Sequence, residues 1–417
     1  MTTVSAALPA VGSPELARSL VRAQRRRRWA AIALTLPLLL FLLLTFLVPI
    51  GALLTRSVEN PEVVKALPRT AAALSGWDRH SEPAAAAFAA VAADLSQLSE
   101  ASDAGALARR LNTEVAGARS LVMGTYRAMP LDNDLTPAQI RDKMLAIDGR
   151  WSDIKYWQAI DKNASRWTPD YLLTSVDLRR NPDGGIERVA PDQRVFGRIL
   201  LRTFQISAVV TLWALVLGYP VAWWLSTLSA RKANMLMILV LVPFWTSILV
   251  RVAAWIVLLQ REGLVNKALM SLSIVDEPLA LLFNRTGVTI AMVHILLPYM
   301  ILPLYSVMKS VPGTYLRAAV SLGSSPLKAF FRVYVPQTFP GIGAGTLLVF
   351  ILCIGYYVTP ALLGGADDQM LSYYIAQYTN VDINWGMACA LGALLLATTL
   401  VLYAVYRRMV KSELSLG

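Results

Sequence analysis

The sequence is poor in the side chains on which most active sites are built. Its 417 residues include two cysteines and two histidines. Cys353 and Cys389 both lie inside apolar runs, so neither a disulfide framework nor a cysteine-based zinc site is available. With only His80 and His294 besides, a metal site would have to rest on carboxylates, and no such cluster is present. The absence of a His/Asp/Glu cluster or a nucleophile motif also argues against a membrane-embedded enzyme. Charge is scarce as well: Asp, Glu, Lys and Arg make up 16% of the chain, 56% is hydrophobic, and mean hydropathy is +0.50. That balance excludes an ordinary soluble chain and points to the bilayer. The net charge of +12 would suggest nucleic acid in a soluble protein. In a membrane protein the placement of the charges matters more than their sum.

What is there is a set of long apolar runs. After a leader carrying Arg18, Arg22 and Arg25 to Arg28, residues 30–54 contain no charge. As helix this run spans about 37 Å, enough for a hydrocarbon core of about 30 Å. It is too long for the apolar region of a cleaved signal peptide, so it reads as an uncleaved first span. Five more runs follow, at roughly 199–228, 235–259, 286–308, 341–363 and 385–406. Six spans place both termini on one side.

Charge placement selects the side. The leader, 229–234, 309–338 and the tail carry 15 basic residues and two acids, Glu15 and Glu413. The short loops 260–285 and 364–384 carry 3 basic residues (Arg261, Lys267, Arg285) and six acids. Basic residues near span ends resist export, so both termini are expected in the cytoplasm.

Between the first two spans lies a polar insert, residues 56–198, with 19 basic and 19 acidic side chains. Zero net charge suits an exported segment and gives no nucleic-acid signature. Its first half, around 82–111, is rich in Ala, Leu and Ser and is expected to be helical. Asn181-Pro182 and Asp183-Gly184-Gly185 mark turns before the chain returns to the membrane. The insert reads as a helical cap on the outer face or as a docking platform for an external partner. The fold class is therefore an all-α polytopic membrane protein of six transmembrane helices, with a large, mainly helical external insert between the first and second. Its expected divisions are a cytoplasmic leader (1–29), a first membrane helix (30–54), the external insert (56–198), a five-helix core (199–406) with a cytoplasmic loop at 309–338, and a cytoplasmic tail (407–417).

The most informative segment is Leu316 to Ile342, LRAAVSLGSSPLKAFFRVYVPQTFPGI. Ala318, Ala319 and Leu322 recur at helical spacing, Gly323 permits a tight backbone, and Ser325-Pro326 suits the cap and first turn of a second helix. Leu327, Phe330, Phe331 and Tyr334 would form that helix's apolar stripe, with Pro336 and Pro340 stopping it. A helix-Gly-helix elbow at a membrane surface is suited to insertion into another protein's groove.

This elbow resembles the EAA loop of binding-protein-dependent ABC importer permeases, which seats in a cleft of a cytoplasmic ATPase. The matching positions are Arg317-Ala318-Ala319, Gly323, Ser325, Pro326, Phe330, Val333, Pro336 and Pro340-Gly341-Ile342. Arg317 departs from the family's Glu, so the ionic contact made there is either absent or has a changed partner. Residues 243–266, 294–312 and 355–365 are similar to the spermidine/putrescine (PotB-type) branch, and the similarity covers about 196–406.

The resemblance implies a permease of the bacterial inner membrane that does no chemistry itself. It implies a second homologous permease, two ATP-binding subunits that hold ATP and magnesium, and an external solute-binding protein. No cofactor or metal is expected in this chain and no nucleic acid as a partner. For a polyamine, aromatic faces are candidates for the solute path: Trp245, Trp255, Tyr299, Tyr305 and Tyr356. Arg251, inside the third span, is a costly placement of about 2.5–3.5 kcal/mol on insertion scales. It belongs either to the path or to a hydrogen bond with a backbone carbonyl or the sister subunit. Asp367, Asp368 and Asp382 read as solvated loop charges or as attractors of cations to the entrance, and His294 as a neutral histidine bonded between helices. The rival reading is an ATP-independent secondary transporter or channel, but the chain shows no second, inverted half.

Overall fold

The computed structural model describes residues 14–98, 100–131, 134–181 and 184–414, with side chains described from Gln24 to Arg408. The first thirteen residues of the leader, the last three of the tail, and Pro182 and Asp183 of the expected turn lie outside them. The chain divides into two compact units, 1–55 and 56–417. In the first, α1 (Pro14–Leu42) passes through a π-turn at Leu43–Leu47 into α2 (Val48–Arg56). Gln24–Arg56 is a 33-residue apolar helix with none of its apolar window buried. A helix apolar on all sides is made for lipid or for another membrane helix, not for water.

The second unit opens with a run of short helices: α3 (Pro61–Ala66), α4 (Pro68–Ala73), α5 (Ala85–Gln97), α6 (Ala101–Glu114), α7 (Ala118–Arg127), α8 (Pro137–Ile147), α9 (Ile154–Lys162) and α10 (Asp170–Ser175). Their apolar faces close on Phe88, Trp151 and Trp157, all fully buried, with ring centroids 4.6 Å apart for Phe88–Trp157 and 5.2 Å for the two tryptophans. A large aromatic core explains why so small a helical assembly holds its shape. Antiparallel strands β1 (Leu178–Arg180) and β2 (Ile186–Arg188) follow. The turn residues of this segment were legible in sequence, but three-residue strands are too short to show a period.

Next come α11 (Phe196–Thr227), α12 (Ala230–Leu241), α13 (Ile248–Leu259), α14 (Leu264–Ser271), α15 (Arg285–Ser310), α16 (Gly313–Ser321), α17 (Pro326–Ala329), α18 (Val335–Gln337), α19 (Phe339–Ile354), α20 (Val358–Leu363), α21 (Leu371–Asn380) and α22 (Trp385–Leu414). The molecule is an all-α membrane protein. Among the described residues, four helices are long and apolar enough to cross a membrane, or up to six if each of two bent pairs counts as one span. The core joins α11, α15 and α19 around Val210, Leu296, Met300, Leu304 and Val349. Small residues permit close approach in such bundles. A Cβ at Gly218 would lie 3.1 Å from Met300 Cγ, and one at Gly345 would lie 2.8 Å from Met300 Sδ.

The first bent pair departs from the single span expected at 235–259, whereas the second bends where the loop 309–338 gives way to the span expected at 341–363. The first bends by 94° between Trp245 and Ile248, where a 3-10 turn at Val242–Trp245 contains Pro243. Proline removes a backbone donor and lets the chain turn without breaking a further hydrogen bond. The second bends by 63° between Gln337 and Phe339, and its helix ends at Ile354, before a separate short α20.

The loops sort to two ends of the bundle. At one, Lys309 Nζ donates to the carbonyls of Ser226 (3.3 Å) and Leu228 (3.0 Å), closing the C-terminus of α11. At the other, Leu371 N donates to Thr203 Oγ1 at 2.8 Å, and Arg285 pairs with Asp368 at 3.1 Å. The insert packs against this second end through Tyr171, Ile199, Leu371, Met387 and Leu391. Asp177 fixes the entry into α11 by accepting from the backbone N–H groups of Val195, Phe196 and Gly197 at 2.7–3.0 Å.

Candidate functional site

Two places in the second unit gather the residues singled out by sequence. The first is the elbow at the Lys309 end of the bundle. Helix α16 ends at Leu322, and Gly323 adopts φ 92°, a left-handed turn open to glycine without strain. Pro326 then opens α17. Ser325 stands at its cap position as expected, although its hydroxyl makes no capping bond; its carbonyl accepts from Ala329 N at 2.9 Å.

The expected second helix is not continuous. A π-turn at Phe330–Tyr334 interrupts its α-helical bonding, and the helical run ends at Gln337, one residue after Pro336. The π-turn also splits the expected apolar stripe. Phe330 stacks on Tyr334 (5.4 Å, 18°) and meets Trp223 of α11 edge-on at 5.3 Å. Leu327 and Phe331 face outward with Leu322, which is 89% exposed. Tyr334 approaches Ser226 through their hydroxyls at 3.5 Å, and Thr338 meets Tyr219 at 3.0 Å. The elbow is thus bolted to α11 by aromatic and hydroxyl contacts while its tip presents an apolar face. Arg317, Ala318, Gly323 and Pro326 are exposed at this tip; Ala319 and Val333 are half-buried.

The second place lies beside the bend of the first broken pair. Trp255 Nε1 donates to His294 Nδ1 at 3.2 Å, with rings 5.3 Å apart, which joins α13 to α15. The between-helix bond expected of His294 is therefore present, and it leaves Nε2 to carry the ring proton. Arg251 stands one turn before Trp255 on α13, near enough to act electrostatically on His294 and Tyr356. Its side chain makes no hydrogen bond or ion pair with the described residues, and its Nε is buried without a partner. The backbone carbonyl expected as its acceptor does not supply one. Tyr299 packs on Phe244 at 4.7 Å. Arg251, Trp255, Tyr299 and Tyr356 thus border one region. Trp245 is 75% exposed at the bend, and Tyr305 packs on the main core.

The acidic loop residues differ from one another. Asp368 is buried and held by Arg285, so it is not a solvated charge. Asp367 is fully exposed 3.6 Å from Arg202, and Asp382 is exposed. Sequence reading missed a cleft of about 780 Å³ between the insert and the loop that precedes α22, bordered by Arg110, Lys162, Asp170, Arg180, Tyr378 and Asn384. No motif marks it, because its walls come from segments more than 200 residues apart. Within it, burial pushes the Glu114 carboxyl up, but the adjacent Arg110 and Lys162 outweigh burial and hold it below the usual range.

The family model for the binding-protein-dependent transport system inner membrane component matches residues 204–413. The spermidine/putrescine transport system permease protein PotB of Escherichia coli (strain K12) is 35% identical over 215 residues, which is 51% of this chain and 78% of that protein. PhnU of Salmonella paratyphi A, described as a 2-aminoethylphosphonate transport system permease protein, is 26% identical over 257 residues, 57% of this chain and 84% of its own. Among solved structures, a bacterial alginate ABC transporter in complex with an alginate pentasaccharide-bound periplasmic protein overlaps 52% of this chain and 79% of its own, at TM-score 0.43 and 16% identity. The family-model match spans the membrane core and the elbow. The chain belongs to the binding-protein-dependent transport system inner membrane components, and among them it is an ABC importer permease of the PotB type.

Proposed function

We propose that this permease is one of two membrane subunits of an ATP-driven importer for small aliphatic polyamines of the spermidine/putrescine class. In this reading the partners are a second homologous permease, two ATP-binding subunits that hold ATP and magnesium, and an external solute-binding protein. The chain crosses the inner membrane six times, each bent pair counting as one span. Both termini are cytoplasmic, and the insert 56–198 lies outside. The elbow seats in the ATPase. When ATP closes the ATPase pair, the elbow carries the motion into α11 and α19, and the path opens outward. Amine solutes are supported by the likeness to PotB and by the aromatic faces of Trp255, Tyr299 and Tyr356. The solute named for PhnU shares a primary aliphatic amine with putrescine.

The observation that carries this reading is the elbow itself. Its tip exposes Leu322, Leu327 and Phe331, while Phe330 and Tyr334 anchor it to α11. Its charged side chains, Arg317, Lys328 and Arg332, are all basic, so the ATPase surface that receives it is acidic. Replacement of Leu322 and Phe331 by Asp tests the seat. The account expects the variant to reach the membrane, to lose the ATPase on purification, and to lose ATP-dependent uptake of labelled putrescine. Retention of both the ATPase and uptake would overturn it.

A further inference from the structure

The six apolar runs, 30–54, 199–228, 235–259, 286–308, 341–363 and 385–406, contain no Asp, Glu or Lys. They hold two arginines. Arg202, near the outer end of α11, bonds to the carbonyl of Gln369 at 3.3 Å and lies 3.6 Å from Asp367. Arg251 has nothing comparable. Before it come the 12 residues of α12 and the 4 of the 3-10 turn, a rise of about 26 Å before the 94° bend. The bend therefore falls toward the far side of a hydrocarbon core of about 30 Å, and Arg251 is the fourth residue of α13 beyond it.

Three further observations make the charge uncompensated. Its Nε is buried with no acceptor. Its neighbours on α13 and α15 are Trp255 and His294, and the His294 acceptor nitrogen is already taken by Trp255. Arg251 also occupies the first turn of α13, whose own peptide dipoles place positive charge at that end. Arg251 is half-buried, and an ionised guanidinium without a partner in this position is one that an anion would stabilise. The described residues offer none.

We propose that Arg251 is an anion-binding residue within the membrane, and that its ligand is a carboxylate presented from outside this chain. The fork of the guanidinium suits a carboxylate in two-point contact. One of two sources supplies that group: the solute, when it bears an acidic end, or an Asp or Glu of the second permease. For a polyamine only the second is attractive, and Arg251 then latches the two permeases across the path. The proposal rests on the permease assignment and not on polyamine as the solute.

The test uses the complete transporter in vesicles with two probes of one chain length, putrescine and 4-aminobutanoate, which differ by an ammonium or a carboxylate at one end. ATP-dependent uptake by the unaltered protein is measured first, so that failure of the importer reading is separated from failure of this one. If the solute supplies the carboxylate, Arg251→Gln raises KM for 4-aminobutanoate by about tenfold or more and leaves putrescine unaffected. If the second permease supplies it, Arg251→Gln depresses uptake of whichever probe is carried. Arg251→Glu is then rescued when one membrane carboxylate of the partner is exchanged for Lys. Unchanged KM and kcat for both probes with Arg251→Gln, together with an unchanged permease pair, would overturn the proposal. Arg251→Lys keeps the charge and loses the two-point contact, so it must retain more uptake than Arg251→Gln. A Lys variant that reaches the membrane and transports no better than the Gln variant overturns the charge assignment.

Discussion

Met300 shows how little room single residues have in the core. It lies between Gly218 of α11 and Gly345 of α19, and a side chain at Gly345 would press on its sulfur and its carbonyl. Overpacking of this kind costs about 1–3 kcal/mol. Gly345→Leu is expected to lower the thermal midpoint of the purified permease, and Met300→Ala in the same chain to recover part of the loss. Outside the membrane, Glu114 gives a pH dependence of known sign. Burial alone would raise its pKa above the ordinary 4.5, but Arg110 and Lys162 bring it below. A carboxyl lowered on folding contributes stability that is full above about pH 4.5 and is lost as pH falls through the lower folded value. The thermal unfolding midpoint of the insert is therefore expected to fall in acid, and Glu114→Gln to flatten that dependence. At this scale the sequence named Arg251, Trp255 and Tyr356 together with His294. It could not show that Arg251 lacks an acceptor, because an unmade bond is visible only once every neighbour is placed.

Elements transmit what residues begin. The elbow turns at Gly323 in a left-handed conformation, which an L side chain enters at a cost of about 1–2 kcal/mol. A β-branched residue is the least tolerant, so Gly323→Val is expected to insert and assemble with the second permease yet to lose most putrescine uptake. Normal uptake by that variant would remove the elbow from the coupling path. At the other end of α11, Asp177 accepts from three backbone N–H groups. Asp177→Ala is expected to cost about 1–2 kcal/mol, read as a lower unfolding midpoint. The helix-Gly-helix pattern and most apolar runs were legible in sequence because spacing and glycine carry them. The 94° and 63° bends were not, since hydropathy records where a chain is apolar and not which way it points. The π-turn at Phe330–Tyr334 was hidden because side-chain spacing does not separate one π-turn from the α-helix around it.

For the whole molecule, the separation of loops is the organising feature. The elbow and the end of α11 meet at one face, whereas the insert meets the starts of α11 and α22 at the other. The same order follows from the count of basic residues along the chain, and membrane class was legible from composition alone. How the insert is held was not, because Tyr171 and Gly386, whose Cβ would lie 2.4 Å from the tyrosine ring, are 215 positions apart. Helices α11 and α15 run between the two faces and join them. The central claim is that this chain moves solute only as part of an ATP-driven assembly. The most direct measurement is uptake of labelled putrescine by vesicles containing the transporter purified in mild detergent from its native membrane, with and without internal ATP. The account predicts a preparation that retains a second permease and an ATP-binding subunit and takes up putrescine only when ATP is present. A chain that purifies alone and transports equally without ATP would contradict it.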